Sequence, residues 1–135
     1  MNVEWLHGLI CTRVSELQEH VALFEFGATT LAVECLWRVS VTGRLVVTSF
    51  DHNQMFGLPA PVDAFAKAHA ELVGRSIASV RLDVQRGDLT LVLENDRLLE
   101  IITESSGYES WHLRAPGIYL ASTSGGTVES LAPPQ

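Results

Sequence analysis

Two short polar segments carry the side chains in this sequence that could do chemistry. The first is Asp51-His52-Asn53-Gln54, in which a carboxylate and an imidazole could act as base and orienting group, or as metal ligands. The second is Tyr108-Glu109-Ser110-Trp111-His112, in which aromatic rings beside a carboxylate are typical of a pocket or an interface. The candidate binding residues are therefore Asp51, His52, Tyr108, Glu109, Trp111 and His112.

Each segment also has a structural interpretation. Asp and Asn residues collect in turns that leave a strand, so the first segment could be such a turn. In the second, Trp111 could be a core residue and Glu109 could accept a hydrogen bond from a backbone N–H of its loop. A metal site would require His52 and His112 to meet, with carboxylates beside them. They could meet across a pseudo-twofold axis between similar halves of the chain, with Asp51 and Glu109 near, but we predict neither a metal nor a cofactor.

The sequence contains no familiar catalytic motif. It has no Gly-x-Ser-x-Gly elbow, no phosphate-binding glycine loop, no His-Glu-x-x-His and no Cys-x-x-Cys. Its two cysteines, Cys11 and Cys35, are too few and too far apart to indicate a disulfide framework or a zinc ligand set. We expect both to be free and buried, we assign no catalytic residue, and we prefer a non-enzymatic protein.

Charge and length limit the partners. The 135 residues include 9 Lys and Arg against 16 Asp and Glu, a net charge of −7, which opposes binding to nucleic acid. This charge suits a basic protein partner, although moderate acidity is also common in soluble bacterial proteins. The sequence shows neither a secretory signal nor an apolar run of about 20 residues, so we expect no membrane span and a cytoplasmic location. Trp5 could pack over a sheet edge or form a homodimer contact.

Strands dominate the elements that must position the candidate residues. From Thr30 to Thr42 apolar side chains occupy the odd positions, which places them on one face of a long strand. One amphipathic helix is predicted at 61–73, with Pro61 in its first turn and Gly74 just past its end. Further strands are predicted at 21–26, 44–50, 77–84, 89–94, 97–103, 110–114 and 118–122.

The two halves of the chain are similar to each other. Leu6-His7-Gly8 matches Leu72-Val73-Gly74 at an offset of 66 residues, and Trp37-Arg38-Val39 matches Trp111-His112-Leu113 at an offset of 74. The second half therefore carries about eight extra residues, which we place around 103–108. A duplication of this kind predicts two related units, each covering the apolar face of the other.

These patterns predict one mainly β (α+β) domain over residues 1–125. Half one spans 6–50, the helix 61–73 and half two 74–122, followed by a flexible tail at 126–135. The two similar antiparallel β halves would form a sandwich or a partly open barrel, with the helix connecting them.

The segment Gly-Tyr-Glu-Ser-Trp-His-Leu at 107–113, together with a Gly-Arg-Ser-Ile strand start, resembles an uncharacterised family of small bacterial domains. Trp37-Arg38-Val39 with Asp51 downstream is similar to the same family. The resemblance covers most of residues 6–121. It implies a stand-alone bacterial protein and no established activity.

Two functional hypotheses follow. The first is a non-enzymatic protein-binding module, for which an immunity-type protein that neutralises a toxin is an analogy by size and acidity. The alternative is a small-ligand-binding protein or a hydrolase with a pocket near Asp51, His52, Glu109 and His112. The first expects an acidic and aromatic surface, whereas the second expects those four residues to converge in one cavity.

Overall fold

A computed structural model describes residues 1–131 as two antiparallel sheets that pack as a sandwich, with one helix at its side. The strands are β1 (Arg13–Gln18), β2 (Val21–Phe26), β3 (Thr29–Val33), β4 (Leu36–Val41), β5 (Arg44–Thr48), β6 (Ile77–Leu82), β7 (Leu89–Leu93), β8 (Arg97–Ile102), β9 (Trp111–Ala115), β10 (Ile118–Ser122) and β11 (Val128–Ser130). The helix α1 spans Ala64–Leu72. The predicted mainly β class is confirmed, and of the two predicted architectures the sandwich is the one formed.

Each half of the chain contributes strands to both sheets. The six-stranded sheet has the order β1-β2-β3-β9-β10-β11, and the five-stranded sheet has the order β5-β4-β8-β7-β6. In the six-stranded sheet the meander β1–β3 of the first half pairs with three strands of the second half, through the β3–β9 ladder. In the five-stranded sheet the meander β6–β8 of the second half pairs with two strands of the first half, through the β4–β8 ladder. Strands β1 to β5 and β6 to β10 therefore occupy equivalent places. That they arose by duplication stays a prediction.

The single long strand predicted from Thr30 to Thr42 is wrong, because the chain changes sheets within it. β3 ends at Val33 and β4 begins at Leu36, so Glu34-Cys35 carries the chain from one sheet to the other. The alternation is nevertheless retained. The odd positions Leu31, Val33, Cys35, Trp37 and Val39 are all buried. An alternating pattern records only which side chains face the core, and both sheets face the same core.

The core between the sheets is built around two tryptophans. Trp37 meets Phe24 edge to face at 5.5 Å between ring centroids, and Phe65 of α1 lies 5.9 Å away. Trp111 is equally buried, and its indole N–H donates to the carbonyl of Gly87 at 2.7 Å. The one polar atom of this large side chain is therefore satisfied inside the core.

The predicted helix at 61–73 is confirmed in place but begins later. The Asp63 carboxylate accepts the N–H of Ala66 at 3.0 Å, so Asp63 and not Pro61 starts the helix. Gly74 lies just past the end with φ of +88°, as a helix stop requires. α1 packs against β1, β4 and β5 and buries Ala64, Phe65, Ala68 and Leu72. No helix within residues 1–131 is long and apolar enough to cross a bilayer.

The flexible tail predicted at 126–135 is wrong over Val128–Ser130, which form β11 beside β10. The Val128 side chain is buried, and its N–H donates to the carbonyl of Val84 at 3.0 Å. This segment is rich in Ser, Thr and Gly, and it is fixed by the buried side chain of Val128 and by the pairing of β11 with β10. The remainder of the predicted tail, 132–135, lies outside the described residues.

The second half carries its longest insertion near the predicted place. Residues 103–110 connect β8 to β9, whereas only Glu34-Cys35 connects β3 to β4. Both connections cross between the sheets at the same end of the sandwich, because β4 begins where β8 ends. The longer crossing carries the candidate residues Tyr108 and Glu109.

Gly87 lies where the two sheets pack closely, so a substitution there measures that packing. A Cβ at Gly87, where φ is +89°, would lie 2.5 Å from the carbonyl oxygen of Gly126 and 2.6 Å from the hydroxyl of Ser122. We predict that Gly87→Ala lowers the free energy of unfolding by about 3 kcal/mol, measured by urea denaturation. The control Gly117→Ala has φ of +75° and open space, and it should lose only about 1 kcal/mol. Equal losses would contradict this packing.

Candidate functional site

Both candidate segments border one concave surface at the end of the sandwich where the chain crosses between sheets. Two adjoining cavities of about 490 and 330 Å³ form it, and Glu34, Cys35 and Glu104 line both. We call this surface the acidic groove. Its members used below are Glu16, Glu34, Glu104, Glu109, Phe50 and Tyr108.

The floor of the acidic groove is the short crossing between β3 and β4. Cys35 continues the inward alternation and is buried, whereas Glu34 points outward and is exposed. The N–H of Glu34 donates to the carbonyl of Ser110 at 2.9 Å. This bond ties the short crossing to the long one, and it brings Glu104 and Glu109 to the same floor.

Carboxylates dominate the charge of the acidic groove. Within residues 1–131, no Arg or Lys lies within 4.0 Å of the carboxylates of Glu16, Glu34, Glu104 and Glu109. The arginine ion pairs of that part of the chain lie elsewhere: Arg13–Glu25, Arg38–Glu100, Arg86–Asp83 and Arg97–Glu71. No arginine or lysine of the described chain therefore neutralises these carboxylates, and the nearest ring nitrogen is Nε2 of His112, 3.1 Å from the carboxylate of Glu109 and 3.9 Å from that of Glu34.

The negative charge of the acidic groove acts on the thiol of Cys35. Burial, followed by the negative charge of Glu104, raises the pKa of the Cys35 thiol to about 12, and Asp88 and Glu34 add to the effect. The thiol is consequently protonated at neutral pH, and the groove has no thiolate nucleophile. Burial likewise raises the pKa of Cys11 to about 11. Both cysteines are free and buried, as predicted.

The carboxylate of Asp51 is used within its own turn. It accepts the N–H of Thr48 at 2.8 Å, while the Thr48 hydroxyl accepts the N–H of Phe50 at 3.2 Å. These reciprocal bonds form a capping box for the short 3₁₀ turn at Ser49–Asp51. The structure of this segment is thus the turn that its composition indicates.

His52 lines the smaller cavity of the groove. Its Nδ1 accepts the N–H of Ala64 at 3.1 Å, at the first residue of α1, and its ring meets Phe65 at 4.6 Å between centroids. Because the Nδ1 atom accepts a hydrogen bond, the neutral ring carries its proton on Nε2. His52 therefore joins the helix start to the wall of the groove.

The second candidate segment divides between groove and core. Tyr108 lies at the rim with 80% of its surface exposed, whereas Trp111 is fully buried and offers no surface to a partner. Glu109 is exposed and does not share the buried face of Trp111. Glu109 precedes β9 and lies in the loop, where its carboxylate meets Nε2 of His112 at 3.1 Å.

His112 connects the groove to the outer face of the six-stranded sheet. Its Nδ1 lies 2.9 Å from the hydroxyl oxygen of Tyr119, to which Arg114 donates at 2.8 Å. The Arg114 guanidinium also lies over the Tyr119 ring, at 4.5 Å from its centroid. With Arg114 donating to Tyr119, and the Tyr119 hydroxyl donating to Nδ1, the Nε2–H of His112 can donate to Glu109. This chain of contacts holds the Glu109 carboxylate at the groove wall.

The four residues of the small-ligand alternative do not converge in one cavity. His52 lines the smaller cavity and Glu109 the larger, while Asp51 and His112 line neither. Within residues 1–131, no group of three His, Cys, Asp or Glu side chains has a geometry that would hold a metal ion. Among residues 1–131, the arrangement supplies a charged recess but does not bring these four residues together.

The sequence interpretation missed Glu16, Glu34, Glu104 and Phe50 as members of the site. Glu34 reads as an ordinary polar position of an alternating strand, and Glu104 reads as a loop residue. No local signal identifies them, because the groove exists only where the two crossings meet.

Comparison of this chain with protein-family models, with curated proteins and with solved structures gives no match. The resemblance at residues 107–113 to a family of small bacterial domains stays a prediction. The function must therefore be argued from the geometry of the groove.

The protonated state of Cys35 can be tested by alkylation. In a Cys11→Ala variant, Cys35 is the only thiol. At pH 8 we predict that iodoacetamide modifies it at least ~1,000-fold more slowly than an ordinary thiol, because a pKa of about 12 leaves little thiolate. A mass-spectrometric time course measures the rate, with the same variant unfolded in guanidinium as control. A native rate within about tenfold of the unfolded rate would contradict the burial and the field.

Proposed function

We propose that this protein is a non-enzymatic protein-binding module whose acidic groove binds a basic segment of a partner protein. The observation that carries the proposal is the pair Glu34 and Glu104, which lie without an Arg or Lys partner in the described chain at the junction of two cavities. A lysine or arginine entering there would meet preorganised negative charge. The charge of −7 on the whole chain would attract the same partner from a distance.

Aromatic side chains at the rim are the second support for a protein partner. Phe50 is 71% exposed beside the smaller cavity, and Tyr108 extends from the larger one. Tyrosine and phenylalanine are enriched at protein interfaces, and their ring faces attract arginine. Exposed aromatic rings are not needed on an acidic face that serves only solubility, so their presence favours an interface.

The biological class we assign within this proposal is an immunity-type protein, which would occupy a basic active site or binding surface of a toxin. Small size, acidity and a concave negative surface support it, by analogy. In this class the groove would act by covering the partner, and no chemistry would be needed from the chain itself.

The geometry favours protein binding over the small-ligand or hydrolase alternative. That alternative requires Asp51, His52, Glu109 and His112 in one cavity. Asp51 is used in its own turn and His52 at the start of the helix, whereas Glu109 and His112 contact each other away from both. The thiol at the groove floor is protonated and therefore unsuited to nucleophilic catalysis.

The test uses the synthetic peptide acetyl-Arg-Gly-Ser-Arg-Gly-Ser-Arg-amide as a basic probe. We predict that the double variant Glu34→Gln/Glu104→Gln binds it about tenfold more weakly than the unsubstituted protein, because both charges at the cavity junction are removed. Raising the ionic strength should also weaken binding to the unsubstituted protein. Isothermal titration calorimetry measures the affinity, and NMR shift changes locate the peptide.

A matched control separates the groove from the overall charge. Glu4→Gln/Asp96→Asn makes the same change in net charge at exposed positions at the opposite end of the sandwich, and the Asp96 carbonyl accepts the N–H of Thr42 there. This control should bind the peptide as the unsubstituted protein does. If both double variants lose affinity equally, or if the shifted amides are spread over the whole surface, the groove is not the binding site.

A further inference from the structure

The loop between β5 and α1 presents four large apolar side chains to solvent. Beside Phe50, the exposed fractions are 48% for Met55, 66% for Phe56 and 50% for Leu58. Contiguous exposed apolar groups on a small protein mark interaction surfaces. Because Phe50 also lines the acidic groove, this apolar loop adjoins it directly.

The base of the apolar loop is fixed by the backbone. The N–H of Asn53 donates to the carbonyl of Val62, and the N–H of Val62 donates to the carbonyl of Gln54, both at 2.8 Å. Above this base, the N–H of Leu58 donates to the carbonyl of Met55 at 2.7 Å and closes a four-residue turn. The loop is therefore a defined projection.

Phe56 occupies an unfavourable backbone position at the tip of this turn. Its φ is +44° and that of Gly57 is +75°, the pattern of a type I′ turn, whose central residues are normally Asn, Asp or Gly. The turn between β7 and β8 follows that preference with Asn95-Asp96. A bulky residue with positive φ is strained. Because the Phe56 ring is largely exposed, its burial offsets little of the free energy that this strain costs.

We propose that Phe56 is the apolar anchor of the partner interface and inserts into an apolar pocket that lies beside the partner's basic side chains. The inference rests on the proposed function of the acidic groove and adds a second feature to the partner. A protein is favoured over an anionic bilayer because Glu34 and Glu104 would be repelled by anionic lipid. It is favoured over a second copy because two acidic grooves would repel each other.

The first arm of the test measures stability. Thr42 has φ of +49° and precedes Gly43 in the turn between β4 and β5, so it matches Phe56 at a remote site. Phe56→Asn and Thr42→Asn should each raise Tm by about 3 °C, because Asn tolerates positive φ. A fall in Tm for Phe56→Asn would overturn the proposal, since the ring would then be supporting the fold.

The second arm compares two peptides of equal charge. One is the Arg-Gly-Ser probe used for the groove, and the other is acetyl-Arg-Gly-Leu-Arg-Trp-Ser-Arg-amide. The unsubstituted protein and Thr42→Asn should bind the apolar peptide about fivefold more tightly than the Arg-Gly-Ser peptide. Phe56→Asn should bind the two alike, with its affinity for the Arg-Gly-Ser peptide unchanged.

The outcomes separate this inference from the groove proposal. If the Arg-Gly-Ser peptide does not bind but the apolar peptide still binds through Phe56, the acidic groove is wrong and the anchor is upheld. Equal binding of both peptides to the unsubstituted protein, or an undiminished preference in Phe56→Asn, overturns the anchor. Two results would overturn the proposal of a basic protein partner. One is binding to phosphatidylserine–phosphatidylcholine vesicles through Phe56, and the other is a homodimer in sedimentation that Phe56→Asn dissociates.

Discussion

The acidic groove depends on one constraint, the two-residue crossing at Glu34-Cys35. β3 belongs to the six-stranded sheet and β4 to the five-stranded sheet, so the chain must pass across the end of the sandwich within two residues. Alternation then directs Cys35 into the core and Glu34 into solvent. The hydrogen bond from Glu34 to Ser110 fixes the second crossing beside the first, and the concave surface between them is the groove.

Within residues 1–131, the arginine ion pairs lie away from the acidic groove, so no arginine neutralises its carboxylates. Arg38 pairs with Glu100 on the five-stranded sheet, and Arg97 pairs with Glu71 of the helix. These pairs join neighbouring elements. A basic partner could supply the missing positive charge to the groove without disturbing any pair that supports the sandwich.

Much of the architecture could be predicted from the sequence, because periodicity reports directly on burial. The strand at 118–122 and the helix stop at Gly74 follow from local pattern and from the freedom of glycine to adopt positive φ. The break at Glu34-Cys35 could not be predicted, since side chains alternate in the same way on both sides of it. The β11 strand was hidden by its composition, because a single buried valine, Val128, anchors it.

The candidate site was predicted only in part, for a related reason. Tyr108, Glu109 and His52 do border the groove, but Asp51 closes a turn and Trp111 fills the core. Sequence spacing cannot distinguish an exposed aromatic from a buried one at a strand entry. The remaining carboxylates of the groove come from distant parts of the chain, and only the exchange of strands between halves brings them together.

The most direct measurement of the central claim is the local electrostatic potential at the groove. Paramagnetic relaxation of backbone amides can be compared between a cationic and a neutral nitroxide of similar size in free solution. The amides of Glu34, Ser105 and Tyr108 should relax faster with the cationic probe, whereas those around Thr42 and Asn95 should respond much more equally to both. Equal enhancement at the two ends of the sandwich would contradict the account, because the groove would then carry no concentrated negative charge.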